Sequence, residues 1–222
     1  LILLPGNLCM ANFDTDYCYS FPAVRGIQAG RPFYIATCPM RIIPKIFSFD
    51  ENEVPPELRA QRTLNKARIP EMVRYLLENP SDYVFSALTA SIAVDVQFDE
   101  YSGSNNLGTL RVPMEAQILI NDGQHRRKAI EDALDARPEL GQDNIPVLFF
   151  VDEGLKRSQQ MFADLNKYAI RPSPSLATLY DHRDISSNLS RYLAMNIEPF
   201  IGLTEMEKSS ISKFSNKLFT LS

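Results

Sequence analysis

The chain has 222 residues, 45% of them hydrophobic and 23% charged, which is the composition of a folded globular protein and excludes a disordered or fibrous one. No run approaches the roughly 18 uninterrupted apolar residues of a membrane span, and Leu1-Ile2-Leu3-Leu4-Pro5 lacks the basic leader of a signal peptide. A soluble, cytoplasmic protein with no membrane partner is expected. The net charge of −4 argues against indiscriminate coating of nucleic acid, although a clustered basic face could still hold phosphates.

The charges do cluster. Between Tyr17 and Phe49 stand Arg25, Arg31, Arg41 and Lys45 with no acid among them, while the acids gather in blocks such as Asp50, Glu51 and Glu53. These four cations are the first candidates for DNA contacts, with Lys208, Lys213 and Lys217 as the alternative surface. A solvated face explains such a run as readily. Three cysteines (Cys9, Cys18, Cys38) form no C-x-x-C pair, so neither a disulfide framework nor a zinc ribbon is indicated, and no metal-ligand spacing occurs elsewhere. Cys18 and Cys38 flank the basic stretch, where arginines could activate a thiol; buried, inert cysteine is the plainer reading.

In chain order, Phe33–Thr37 and Arg41–Ile43 are β-rich runs set off by prolines. Gln28 and Arg31 lie in a glycine-bounded turn. Pro55-Pro56 opens a helix, and Pro70 forces a restart before Met72–Leu77. Val84–Phe98 alternates apolar and polar residues toward its end, the period of a half-buried strand. Residues 102–106 read as a hairpin loop, which disarms the P-loop-like spacing of Gly103 and Gly108, where the lysine is also missing. Ala116–Ile120 is an apolar strand leading through Asn121-Asp122-Gly123 into a helix over 124–136. Ile145–Val151 is a further strand. From Lys156 the pattern is helical, Pro172-x-Pro174 breaks it, and Asn188–Met195 and Thr204–Phe219 are expected as two more helices. His182, in Asp181-His182-Arg183, could be a second catalytic or phosphate group, but a helix start with a solvent-paired arginine is the plainer reading. The fold class is α/β (mixed α+β), with one domain over 1–155 and a helical C-terminal part over 156–222.

The informative stretch is Ile118 to Arg127. Asp122 is a natural N-cap, since its carboxylate can accept from an early helical N–H, and Gly123 lets the backbone turn sharply. Unpaired N–H groups at a helix start favour an anion. Arg126 is in register with Ala129 and Ile130 and so points along the buried face, with His125 beside it. The pair makes a phosphate pocket, or else merely satisfies neighbouring carbonyls around an ordinary helix cap.

Asp122-Gly123-Gln124-His125-Arg126 resembles the signature of DGQHR-domain proteins. Its context is similar to the DNA sulfur modification protein DndB family of DNA phosphorothioation systems. Arg25-Gly26-Ile27-Gln28-Ala29-Gly30-Arg31, Gln61-Arg62-Thr63-Leu64-Asn65, Asp164-Leu165-Asn166 and Leu179-Tyr180-Asp181-His182-Arg183 carry the resemblance over nearly the whole chain. The DGQHR domain is in turn similar to the ParB and sulfiredoxin nucleotide-binding fold, which implies a mixed sheet. ParB-like proteins hold nucleotide phosphates with a G-E-R-R box at a helix start, and sulfiredoxins place G-C-H-R there with a catalytic thiol. Here Gln124 stands in the thiol's place, so phosphate binding is retained and sulfinic-acid reduction is not.

The resemblance implies a DNA-binding repressor of the phosphorothioation genes. Asp122, Gly123, Gln124, His125, Arg126 and Asn166 would hold a nucleoside triphosphate, ATP or CTP. An NTPase or ParB-like nuclease using the same pocket is the alternative. Double-stranded DNA, other phosphorothioation proteins and a second copy of the chain are the expected partners. Members of the family are longer, so a C-terminal portion is expected to be missing.

Overall fold

Strands β1 (Cys18–Gln28) and β2 (Arg31–Pro39) form a hairpin closed by Ala29 and Gly30, both at positive φ (51° and 74°). That two-residue turn matches the right-handed twist of the flanking strands. The computed structural model describes residues 17–47, 66–151, 160–161, 164–165 and 172–222, and the chain divides into two units, Leu1–Lys167 and Tyr168–Ser222.

The first unit is built on a seven-stranded sheet. It adds β3 (Leu88–Ile92), β4 (Gln97–Glu100), β5 (Leu107–Pro113), β6 (Ile118–Asp122) and β7 (Asn144–Val151) in the order β4-β5-β1-β2-β7-β3-β6. Every pairing is antiparallel except β3 with β7. The mixed α/β class expected of the sequence is the class observed.

One face of the sheet is the core. Phe21, Tyr34, Ala36, Cys38, Leu110, Val112, Val147 and Phe149 alternate inward along their strands. Helices α1 (Ile43–Ile46), α2 (Ile69–Glu78) and α3 (Gln124–Ala136) cover that face, with α3 packed on both of the others. The buried residues of α3 are Ala129, Ile130 and Ala133, the stripe its spacing predicts. Burial lifts the Cys38 thiol to about 12, which leaves it protonated and inert.

Three segments of this unit differ from the reading of the sequence. Arg41–Ile43 is not a strand: Met40–Ile42 is a 3₁₀ turn running into α1, with Pro44 in the first helical turn. Met40, Ile43, Ile46 and Phe47 are all buried, a three-to-four-residue period that a strand cannot present to one face. Val84–Phe98 is not one strand but two, β3 and β4, separated by residues 93–96 and placed toward opposite edges of the sheet. β3 is buried at all five positions because it is flanked on both sides and covered on both faces, so it shows no alternation. Asp122 does not cap α3; the N-cap is Gly123, and no side chain takes that role. The expected helix opening at Pro55-Pro56 lies outside the described residues, whereas α2 does restart with Pro70 in its first turn. The hairpin loop expected over 102–106 lies between β4 and β5, and β7 falls where the sequence puts it.

The second unit holds α4 (Pro174–Tyr180) and α5 (Ile185–Asn196), N-capped by Ser173 and Asp184. Arg191, only 8% exposed, ties them together: its guanidinium donates to the carbonyls of Thr178, Leu179 and Asp181 at the end of α4. The expected helix over Thr204–Phe219 is absent. The segment instead forms a loop closed by a short parallel pair, β8 (Thr204–Glu205) with β9 (Phe219–Thr220). Its polar side chains capture the backbone that a helix would need: Glu205 accepts from the amides of Glu207 and Lys208, and Ser215 from that of Lys217.

Candidate functional site

β6 delivers the chain to the end of the sheet, where one residue reverses it. Gly123 has φ 105° and ψ 16°, a conformation that L side chains rarely adopt. A Cβ there would meet Leu88 Cδ2 at 2.3 Å and the Arg126 guanidinium at 3.0 and 3.2 Å. The absent side chain therefore serves two ends. It permits the strand-to-helix turn, and it lets Arg126 fold back across the helix start.

Arg126 is held there from two sides. Its Nη2 donates to the Ala87 carbonyl (3.1 Å) and to Asp122 Oδ2 (2.7 Å). The side chain is 18% exposed against 47% for Asp122, and its Nε is buried with no acceptor among the described residues. Register with Ala129 and Ile130 accounts for the burial, as the helical spacing predicts. Asp122 pairs with the guanidinium because, as the last residue of β6, it leaves Gly123 between itself and the helix.

His125 completes the first turn. Burial pushes its pKa below the usual histidine value, and the charges of Arg68 and Arg126 push it the same way, against a weaker opposite effect of Asp122. The imidazole thus sits in positive potential even with the carboxylate present. Arg68 belongs to the 3₁₀ turn (Lys66–Arg68) that leads into α2, and reading the sequence did not single it out. The signal available was its place immediately before Ile69-Pro70, a helix start that packs against α3.

The other expected residues divide. Gln124 turns back to the Ile120 carbonyl (3.4 Å). Asp164 and Leu165 are helical and exposed, while Asn166 lies outside the described residues. Asn121, next to the turn, is buried and donates to Ser91 Oγ (2.6 Å) and to Met161 Sδ (3.1 Å), fixing the far face of β6.

The four basic candidates do not form one patch. Arg25 faces the core side opposite Tyr34, pairs with Glu100, donates to the Asn105 carbonyl and lies 5.0 Å over the Phe98 ring. Arg31 is exposed at the β1–β2 turn. Arg41 and Lys45 are exposed on the 3₁₀ turn and α1, Arg41 donating to Gln142 Oε1 (2.8 Å). Arg127, from α3, reaches the same segment through the Pro44 carbonyl (3.1 Å). His182 is not at a helix start but in the link between α4 and α5, its Nδ1 3.2 Å from Arg191 Nη2.

A mixed sheet whose edge strand turns through Asp-Gly into a helix headed by Gln-His-Arg defines the class. Residues 21–222 match the family model DndB, DNA-sulfur modification-associated, and the chain belongs to that family. The family has a role in the DNA phosphorothioation system. No curated protein and no solved structure matches the chain. Among the described residues, no helix is long and apolar enough to cross a membrane, and no group of three or more His, Cys, Asp or Glu could hold a metal ion.

Proposed function

We propose that this chain is a DNA-binding regulator of the phosphorothioation system, repressing its genes, and that the Asp122–Arg126 turn binds the phosphates of a nucleotide. The observation that carries the pocket is the Arg126 Nε, buried at the helix start with no acceptor among the described residues, beside a His125 that also feels the charge of Arg68. Charge-assisted contacts of this kind are short, strong and suited to phosphate oxygens. ATP or CTP is the expected ligand, and Asn166 a further contact.

DNA would be held elsewhere, by exposed Arg31, Arg41 and Lys45; Arg25, already committed to Glu100 and Asn105, is the weakest of the original four. Charge reversal at Arg31 and Arg41 should weaken DNA binding alike across sequences, each lost phosphate contact lowering the salt slope by about one. Nucleotide binding to the purified chain, with and without Arg126→Ala, tests the pocket. Unchanged nucleotide affinity in that variant sinks it, and an unchanged salt slope moves the DNA surface to Lys208, Lys213 and Lys217. Phosphate release on adding ATP or CTP would favour the hydrolase reading instead.

A further inference from the structure

The Asp122–Arg126 ion pair belongs to the site just described. Asp122 is its solvent-side member, nearly half exposed, and Arg126 its buried one. The carboxylate satisfies only Nη2 of the guanidinium and leaves the buried Nε without an acceptor among the described residues. Among the described residues Asp122 bonds to the guanidinium and does not cap α3. A carboxylate thus stands where an anion belongs, and it uses part of what the site offers.

Resting on the phosphate-binding reading, we propose that Asp122 is a built-in competitor: it closes the site in the ligand-free chain, and phosphate enters by displacing it from Arg126. The chemistry favours the exchange. Water at the half-exposed Asp122 carboxylate screens and weakens the pair, whereas a phosphate brings several oxygens and can engage the Nε and Nη2 edge together. Arg126 need not move, because the Ala87 carbonyl holds it from the other side and Gly123 leaves it room. Asp122 is free to swing outward, since among the described residues its carboxylate is held by Arg126 alone. The pair would therefore raise the phosphate concentration at which the site fills.

The test is titration of the full chain with inorganic pyrophosphate, comparing the parent with Asp122→Asn and following the Arg126 Nε–H resonance. The variant should bind about tenfold more tightly, as loss of a charged competitor implies. Its free-state Nε–H signal should shift in the direction that pyrophosphate shifts the parent's. Equal affinity in parent and variant overturns the competitor and leaves the phosphate site standing. Binding to neither overturns the phosphate reading itself. Tighter binding with an unmoved Nε–H signal also overturns the competitor, because removal of general repulsion would then explain the gain. Asp122→Ser, which cannot reach Arg126, replaces the asparagine variant should that one fail to fold, and is read by the same outcomes.

Discussion

Gly26 and Phe33 face each other across the β1–β2 ladder, and the Phe33 ring fills the space a side chain at 26 would need. A Cβ there would come within 2.3 Å of the ring, which itself leans on Phe150 at 6.0 Å. Gly26→Ala should therefore cost about 1–3 kcal/mol through overpacking. Chemical denaturation of the variant checks this, and an unchanged midpoint would mean that the ring moves aside without cost.

Gly123→Ala should be more damaging, because strain and overlap coincide. The left-handed backbone costs a side-chain-bearing residue roughly 1–2 kcal/mol, and contact with fully buried Leu88 adds about 1–3 kcal/mol. A thermal melt no lower than the parent's would show that the turn can rebuild in another conformation.

His125 should titrate below the ordinary histidine value of about 6.5. The sign for stability follows from which state takes the proton first. As pH falls through about 6.5 the unfolded chain binds a proton that the folded one still refuses, so stability declines until the folded pKa is reached and then levels. An NMR titration of the two histidines, with Arg68→Ala as comparison, measures it. The His125 midpoint should rise in that variant, and no change would remove Arg68 from the site.

In the second unit, Arg191→Lys should fail to rescue what Arg191→Ala loses. Three carbonyls at the end of α4 share one planar guanidinium, a fork that an ammonium cannot reproduce. Leaving those buried acceptors unpaired should cost about 1–3 kcal/mol, read as faster hydrogen exchange at the α4–α5 link. Protection equal to the parent's would reassign the role to the Asp184 cap.

The strand, turn and helix over 116–136 were legible because three independent signals agree there: an apolar run, a glycine, and the 3.6-residue stripe of Ala129, Ile130 and Ala133. The Asp122 pairing was not, since a carboxylate before a helix reads as a cap whether or not the backbone lets it turn inward. β3 misled for a different reason. Burial on both faces erases the alternation that separates one strand from the next. At 204–219 the spacing of apolar residues suggested a helix, but Glu205 and Ser215 divert the backbone locally, and periodicity carries no sign of that. Arg68 was hidden because its role depends on α2 lying beside α3, a contact that only the folded chain makes. DNA candidates chosen for proximity in sequence proved scattered, since β1 turns Arg25 to the core side while Arg31 sits at the hairpin tip.

The parallel pairing of β3 with β7 has a consequence for how the chain assembles. β7 joins two parts of the sheet, the β4-β5-β1-β2 meander on one side and the β3–β6 pair on the other. It is also the last of the seven strands to leave the ribosome. Until Asn144–Val151 has emerged, β3 has no neighbour but β6, and Leu88, the residue that packs against the glycine turn, lacks its partner Val147. Long-range closure of this kind is slow relative to hairpin formation. The arginine-bearing turn thus matures late in synthesis, and a nascent chain shorter than β7 would carry its signature residues without the platform that aims them.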